Sequence, residues 1–488
     1  MLEVGIICRH MQVPLGRKGE RIASPNPLRM SFDRSAMSTI PQLGNVTSSA
    51  LLEAYCCSED LCQFGVTPDQ PKQAGFFRFG TDTICYGQCS GEQADSLEEA
   101  QYDAMEDVQV DGDVPVLLFN PDEVIHNLRG ERYVAESLEA EKRLLHHAYY
   151  FVRPLLPVSF RRHLQRFRFR SSRDRSFPQW PVDCTVERIQ ESLLALSLKA
   201  KKRQCLPFVW FWPENYPACA IVTHDVETKA GLDACSSLMD LDDSFGIKSS
   251  FQLVPEKRYR VSDAILSMIQ ERGFEVNVHD LNHDGHLYSD RAEFMRRARE
   301  INRYARGFKA EGFRAGAMYR NPEWYGAFEF SYDMSVPNAG HFEAQAGGCC
   351  TVRPYFIGPL VELPLTTTQD YTLFHILGEY SIERWKQQID LILRRNGLIS
   401  FIVHPDYVIE KKAREVYVSL LRYLAQLRED GKLWLAKPGQ VARWWRQRQE
   451  TTLTQDGQIL KIHGSGTERA RVASACLDGN SVKYRVEN

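Results

Sequence analysis

Four short clusters hold residue types that can do chemistry, and each sits at or just beyond an apolar run. The first is Thr223-His224-Asp225-Val226-Glu227. In an extended chain, residues two apart face the same way, so Asp225 and Glu227 project together while Val226 points elsewhere. Such a pair can hold a cation or move a proton; it can equally cap the helix that follows. The second, His279-Asp280-Leu281-Asn282-His283, places two imidazoles at i and i+4. On one face of a helical turn they would bind a single metal ion. The chain has 13 histidines, so one such spacing arises by chance roughly a third of the time. His286 extends the pair towards three but reads as a weaker ligand. The third cluster runs from Gly312 to Pro322, with Arg314 among small residues and Arg320 opening a loop. Guanidinium groups there can anchor a carboxylate or a substrate oxygen, or form surface salt bridges. The fourth is His404-Pro405, closing ISFIVH. It is either a satisfied core histidine or a proton donor at a strand end.

These clusters need elements to position them. From Cys219 onward, the apolar runs ACAIVTH, SSFQLV, FEVNV, GFRAGA, VELPL and ISFIVH alternate with amphipathic stretches such as DRAEFMRRAREINRYARG. That alternation predicts repeated βα units. A span of about 225 residues suits one α/β barrel, whose chemistry gathers where the strands end. The clusters thus converge on one rim, which favours an enzyme.

The rest of the chain is less telling. Residues 1–73 are rich in Ser, Pro, Gly and Gln and are expected to be poorly ordered. Residues 74–215 read as an accessory mixed α/β region with an acidic loop near 91–113, and residues 216–446 as the barrel. Residues 447–488 read as a polar tail. The basic run Arg161–Arg175 suits a solvated face or a linker, with an anionic glycan or membrane phosphate as the sharper alternative. A net charge of -3 and a pI of about 6.5 give no global signal for nucleic acid, and no apolar run is long enough for a membrane span. No secretory signal is recognisable at the N-terminus, so a cytoplasmic location and reduced thiols are expected for the 13 cysteines. Cys56, Cys57, Cys62, Cys85 and Cys89 match no zinc-ribbon spacing.

Taken in order, THDVE, HDLNH and IVH resemble the motifs of the NodB-homology polysaccharide deacetylases (carbohydrate esterase family 4). That family reads Thr-Phe-Asp-Asp, His-Ser/Thr-x-x-His and a strand ending in Leu-His. The resemblance covers roughly residues 217–445. It implies a deformed parallel (β/α) barrel of the NodB-homology type that binds one divalent metal ion, usually Zn2+. It also implies hydrolysis of an acyl group, most simply acetyl, from an amino sugar or glycan. By the same resemblance Asp225 is the catalytic base, His279 and His283 are metal ligands, His404 is the general acid and Arg314 orients the base. Val226 replaces the family's metal-binding Asp, which passes that role to Glu227. The family's fourth motif is not recognisable, leaving Asp333 as a provisional partner for His404. The expected partner is a carbohydrate or glycan precursor. An amidohydrolase on a non-carbohydrate amide and an inactive glycan-binding barrel are the alternatives.

Overall fold

The computed structural model describes residues 44–134, 176–456 and 459–486. Its centre is a nine-stranded, mostly parallel sheet. The strands are β1 (Ala218–Val226), β2 (Ser250–Leu253), β3 (Glu275–His279), β4 (Gly312–Arg314) and β5 (Tyr332–Asp333), followed by β6 (Tyr355–Ile357), β7 (Leu360–Glu362), β8 (Leu398–Ile402) and β9 (Leu433–Leu435). Their order is β6-β7-β5-β4-β3-β2-β1-β8, with β9 also paired to β1. Every pairing is parallel except the β6–β7 hairpin. Each of the six apolar runs read from the sequence contributes a strand.

The intervening helices are α1 (Lys229–Ser244), α2 (Asp263–Glu271), α3 (Arg291–Phe308), α4 (Glu383–Leu393), α5 (Lys411–Glu429) and α6 (Pro438–Gln449). The first three start where a side chain takes an orphan backbone donor: Thr228 from Gly231, Ser262 from Ile265 and Asp290 from Glu293. The sheet curls into a deformed (β/α) barrel whose ladder does not close. Between the segment after β7 and strand β8, hydroxyls replace the missing ladder. Thr366 Oγ1 donates to Leu398 O at 2.7 Å and Thr367 Oγ1 to Ser400 O at 2.7 Å. None of the described helices is long and apolar enough to cross a membrane.

Strand β1 is buried along its whole length, as an apolar run in a covered parallel sheet should be. Its alternation divides two cores. Ala218, Ala220 and Val222 pack with the barrel helices, while Cys219 and Ile221 join the N-terminal region. The second core unites Leu51, Tyr55, Phe64 and Phe119 with Leu193, Trp212 and Trp444. The accessory region therefore shares its apolar interior with the barrel.

Three expectations give way here. Within 1–73, residues 44–66 form a strand, the helix Ser49–Tyr55 and a second strand, with Leu51, Tyr55 and Phe64 fully buried. Elements of four to seven residues are too short to register in composition. The polar tail contains the hairpins Thr452–Asp456 with Ile459–His463 and Val472–Asp478 with Ser481–Val486. Strand Val472–Asp478 also pairs with Cys205–Val209, where a disulfide joins Cys205 to Cys476. The other strand of that hairpin, Ser481–Val486, sets Ser481, Lys483 and Arg485 on its exposed alternate positions, which masks the strand pattern. The disulfide corrects the expectation that all thiols are reduced: the two cysteines are directly opposed across the ladder. The expectations for residues 1–43 and for Arg161–Arg175 lie outside the described residues.

Candidate metal and catalytic site

The rim formed by the ends of β1, β3, β4 and β8 carries all four clusters. At the end of β1, Val226 is fully buried in the barrel core. Asp225 and Glu227 turn instead towards the histidines, as alternation demands. His224, by contrast, is a satisfied core residue. Its Nδ1 lies 3.0 Å from Val403 O and its Nε2 3.1 Å from Asp242 Oδ2.

His279 closes β3, and His283 follows in a loop rather than on the helical turn the i,i+4 spacing suggests. Positive φ angles at Asp280 (56°) and His283 (53°) fold the loop back, so the two ring centroids come within 4.9 Å. Gly316 makes room for this return: a Cβ there would stand 2.7 Å from Asp280 Oδ2 and 3.0 Å from His283 Cδ2. His286 is exposed and outside the cluster.

The chemistry of the donors follows from their hydrogen bonds. His279 Nδ1–H donates to Arg314 O at 3.1 Å, which leaves the Nε2 lone pair facing inward. Both His279 Nε2 and His283 Nε2 are shut off from solvent and have no hydrogen-bond partner. Glu227 Oε1 lies 2.9 Å from His283 Nε2 and 3.6 Å from His279 Nε2. Donor atoms of Glu227, His279 and His283 all fall within 4.8 Å of one another, the one such group among the described residues. Buried polar nitrogens left unpaired are rare and costly. Two of them converging with a carboxylate fit a divalent cation with an open coordination position. Burial pushes the Glu227 carboxyl up, but the facing charge of His283 and the close approach of His279 and His404 outweigh it and hold the group well below the usual range.

Two dyads flank this group. Arg314 is wholly buried and donates from Nη1 to Asp225 Oδ1 at 2.8 Å and to Thr223 Oγ1 at 2.7 Å, and from Nε to Met334 O at 3.0 Å. Burial raises the Asp225 pKa, yet Arg314 and then His279 and His404 lower it further, keeping Asp225 ionised. On the other side His404 Nδ1 lies 2.7 Å from Asp370 Oδ1, and its backbone N–H donates to Asp370 Oδ2 at 2.7 Å. Burial lowers the His404 pKa, but Asp370 and Glu227 raise it well above the ordinary histidine value. His404 Nε2 is 3.4 Å from Glu227 Oε1.

Asp370 was not found from sequence. It follows a threonine run beyond β7 and opens a π-helical turn, Thr372–Leu377, with no motif to mark it. The one available signal was an acid placed just after a predicted barrel strand. The provisional partner Asp333 is excluded: its carboxylate accepts from Ser335 N at 2.9 Å and Ser335 Oγ at 2.8 Å. Arg320 is no surface residue either. It is buried in a two-pronged ion pair with Glu131 of the N-terminal region, its Nε 2.7 Å from Glu131 Oε2. Arg320 Nη1 also donates to Met318 O at 2.8 Å. The pair thereby braces a strained segment in which Ala317 and Met318 both have φ of 55°.

No sequence-family model matches this chain, and no curated protein matches it. Solved structures similar to it are polysaccharide deacetylases of the NodB, or carbohydrate esterase family 4, type. One, from Mycobacterium smegmatis, is 16% identical over 51% of this chain and 98% of that chain, with a TM-score of 0.40. Peptidoglycan deacetylase PdaC from Bacillus subtilis is 13% identical over 48% and 94%, at 0.30. A family 4 pseudoenzyme variant is 14% identical over 47% and 68%, at 0.30. At these scores the likeness carries no functional weight, and the chemistry rests on the geometry above.

Proposed function

We propose that this protein is a metal-dependent hydrolase that removes an acyl group, most simply acetyl, from the nitrogen of an amino sugar or glycan. The observation that carries the reading is the pair of buried, unpartnered imidazole nitrogens facing Glu227, with an acid and a base dyad on either side. A borderline-soft ion such as Zn2+ suits two imidazoles and one carboxylate, and when bound it supplies Lewis acidity that polarises a carbonyl and acidifies water.

The chain's own residues do the rest. Glu227, His279 and His283 would hold the ion. Asp225, kept ionised and oriented by Arg314, takes a proton from the attacking water. Arg314 is itself locked by Thr223 and the Met334 carbonyl, so the base cannot swing away. His404, kept protonated by Asp370, hands a proton from Nε2 to the departing nitrogen as the C–N bond breaks. A C–O bond forms, and the products are a carboxylate and an amine. No covalent enzyme intermediate is needed.

The test is acetate release from N-acetylated oligosaccharides, read by mass spectrometry with and without a chelator. Chelator-sensitive release supports the reading. Release only from a non-carbohydrate amide would transfer the chemistry to an amidohydrolase, and glycan binding without release would leave a binding barrel.

A further inference from the structure

Strands β1 and β8 have a second end. Pro217 precedes β1 and Asn396 precedes β8, and both line a cleft of about 960 Å³. Asp225 lies eight residues beyond Pro217 along the extended strand. At about 3.3 Å per residue the cleft is therefore roughly 25 Å from the metal-binding rim. Its other walls come from the turn at residues 80–83, from the helix Thr185–Ala200 and from the C-terminal hairpin. The volume lies at the upper end of the range for small-ligand sites.

The charges in this cleft do not balance. Arg395 pairs with Glu191 at 3.0 Å and Lys483 with Asp478 at 2.7 Å. Arg188 meets only neutral oxygens, Asp82 O and Gln179 Oε1, each at 3.2 Å. Arg394 is exposed, and its guanidinium has no partner among the described residues. A further cation lies beneath the floor. Arg353 is 3% exposed and stacks over Phe211 at 3.7 Å and near Tyr484, which lines the cleft, at 5.8 Å. Its Nε and Nη1 have no hydrogen-bond partner. Of the four cations that line the cleft, two are paired and two, Arg188 and Arg394, meet no carboxylate, against three lining acids of which only Asp82 lacks a cationic partner. The remaining surface offers the hydroxyls of Thr81, Ser192 and Ser481, suited to a polyhydroxylated ligand.

We propose that this cleft is a second, non-catalytic site that binds an oligosaccharide bearing carboxylates. The choice of a sugar rests on the deacylase reading; the preference for an anion rests on the unmatched arginines alone. A site so far from the rim would hold a chain elsewhere along its length while the rim works on one residue.

The experiment is calorimetric titration of the full chain with an oligogalacturonate hexasaccharide, using the His279→Ala/His283→Ala variant so that turnover plays no part. Chitohexaose and ATP serve as neutral and phosphate-bearing probes. The expected result is salt-sensitive binding of the oligogalacturonate that weakens about tenfold in Arg188→Ser/Arg394→Ser. The single variant Arg394→Ser, whose side chain holds nothing in place, should show part of that loss even where the double variant folds poorly. An Arg414→Ser control on α5 should show none. Absence of oligogalacturonate binding, equal loss in the control, or tighter binding of ATP or chitohexaose would overturn the proposal. Because no step measures acetate release, this site and the deacylase reading can fail separately.

Discussion

His224 and His279 are both buried, on strands of one sheet, yet their surroundings differ in kind. His224 has a partner for each ring nitrogen, Val403 O and Asp242. His279 has one, Arg314 O, and its Nε2 faces only Glu227 and Asp225 at 3.6 and 3.9 Å without a hydrogen bond. A similar contrast holds for buried charge. Arg320 and Glu131 satisfy one another through hydrogen bonds where the N-terminal region meets the barrel, whereas His283 Nε2 lies 2.9 Å from Glu227 Oε1 at the rim without a hydrogen bond. Groups that stabilise a fold are closed off by partners; groups that act on a ligand keep one atom in reserve.

The largest effect expected is on the structural side of that comparison. Glu131→Ala leaves the buried Arg320 guanidinium unpaired and should lower stability by about 3–5 kcal/mol in urea unfolding. It should also release the strained 317–318 segment, so turnover falls while the metal content of the folded fraction is retained. Unchanged stability would remove Glu131 from the account. Next is Asp370→Asn, expected to lower kcat about a hundredfold. Asp370 and Glu227 hold the His404 pKa above its usual value, so the acid stays charged to higher pH in the wild type. The variant's alkaline limb should move to lower pH; a limb that does not move would deny His404 the role of acid.

Smaller still is the contrast between the histidines themselves. His224→Ala removes both ring contacts, one of the three side-chain partners of buried Asp242 and the partner of Val403 O, and should cost about 2 kcal/mol, with the metal ratio unchanged. His279→Ala deletes the unpaired Nε2 together with a single hydrogen bond, from Nδ1 to Arg314 O, so the metal-free protein should lose less than the His224 variant. Equal losses would erase the distinction. The smallest effect on turnover is expected at the disulfide: reducing Cys205–Cys476 constrains the chain less and lowers the thermal midpoint, but kcat should hold, since the bridge joins strands outside the barrel. A matching fall in kcat would mean that the C-terminal hairpins steady the rim.

Much of the rim was legible because barrel strands write themselves as apolar runs. Asp225 and Glu227 could be placed on one face from alternation alone, and His404 from the run it closes. What could not be read depended on distance in sequence. Asp370 meets His404 across 34 residues, and Glu131 meets Arg320 across 189, with no local pattern to announce either. His279 and His283 were paired for the wrong local reason, since positive-φ loop geometry rather than a helical turn unites them. The last hairpin escaped because the exposed alternate positions of Ser481–Val486 are polar and the further partner of Val472–Asp478 lies far back in the chain.

The central claim is that the unpaired nitrogens of His279 and His283 are reserved for a metal ion. Elemental analysis of the purified protein beside the His279→Ala/His283→Ala variant tests it most directly. The account predicts about one divalent ion per chain in the wild type and none in the variant, with both folded. A wild type that takes up no ion even when zinc is added, or a variant that retains it, would contradict the account.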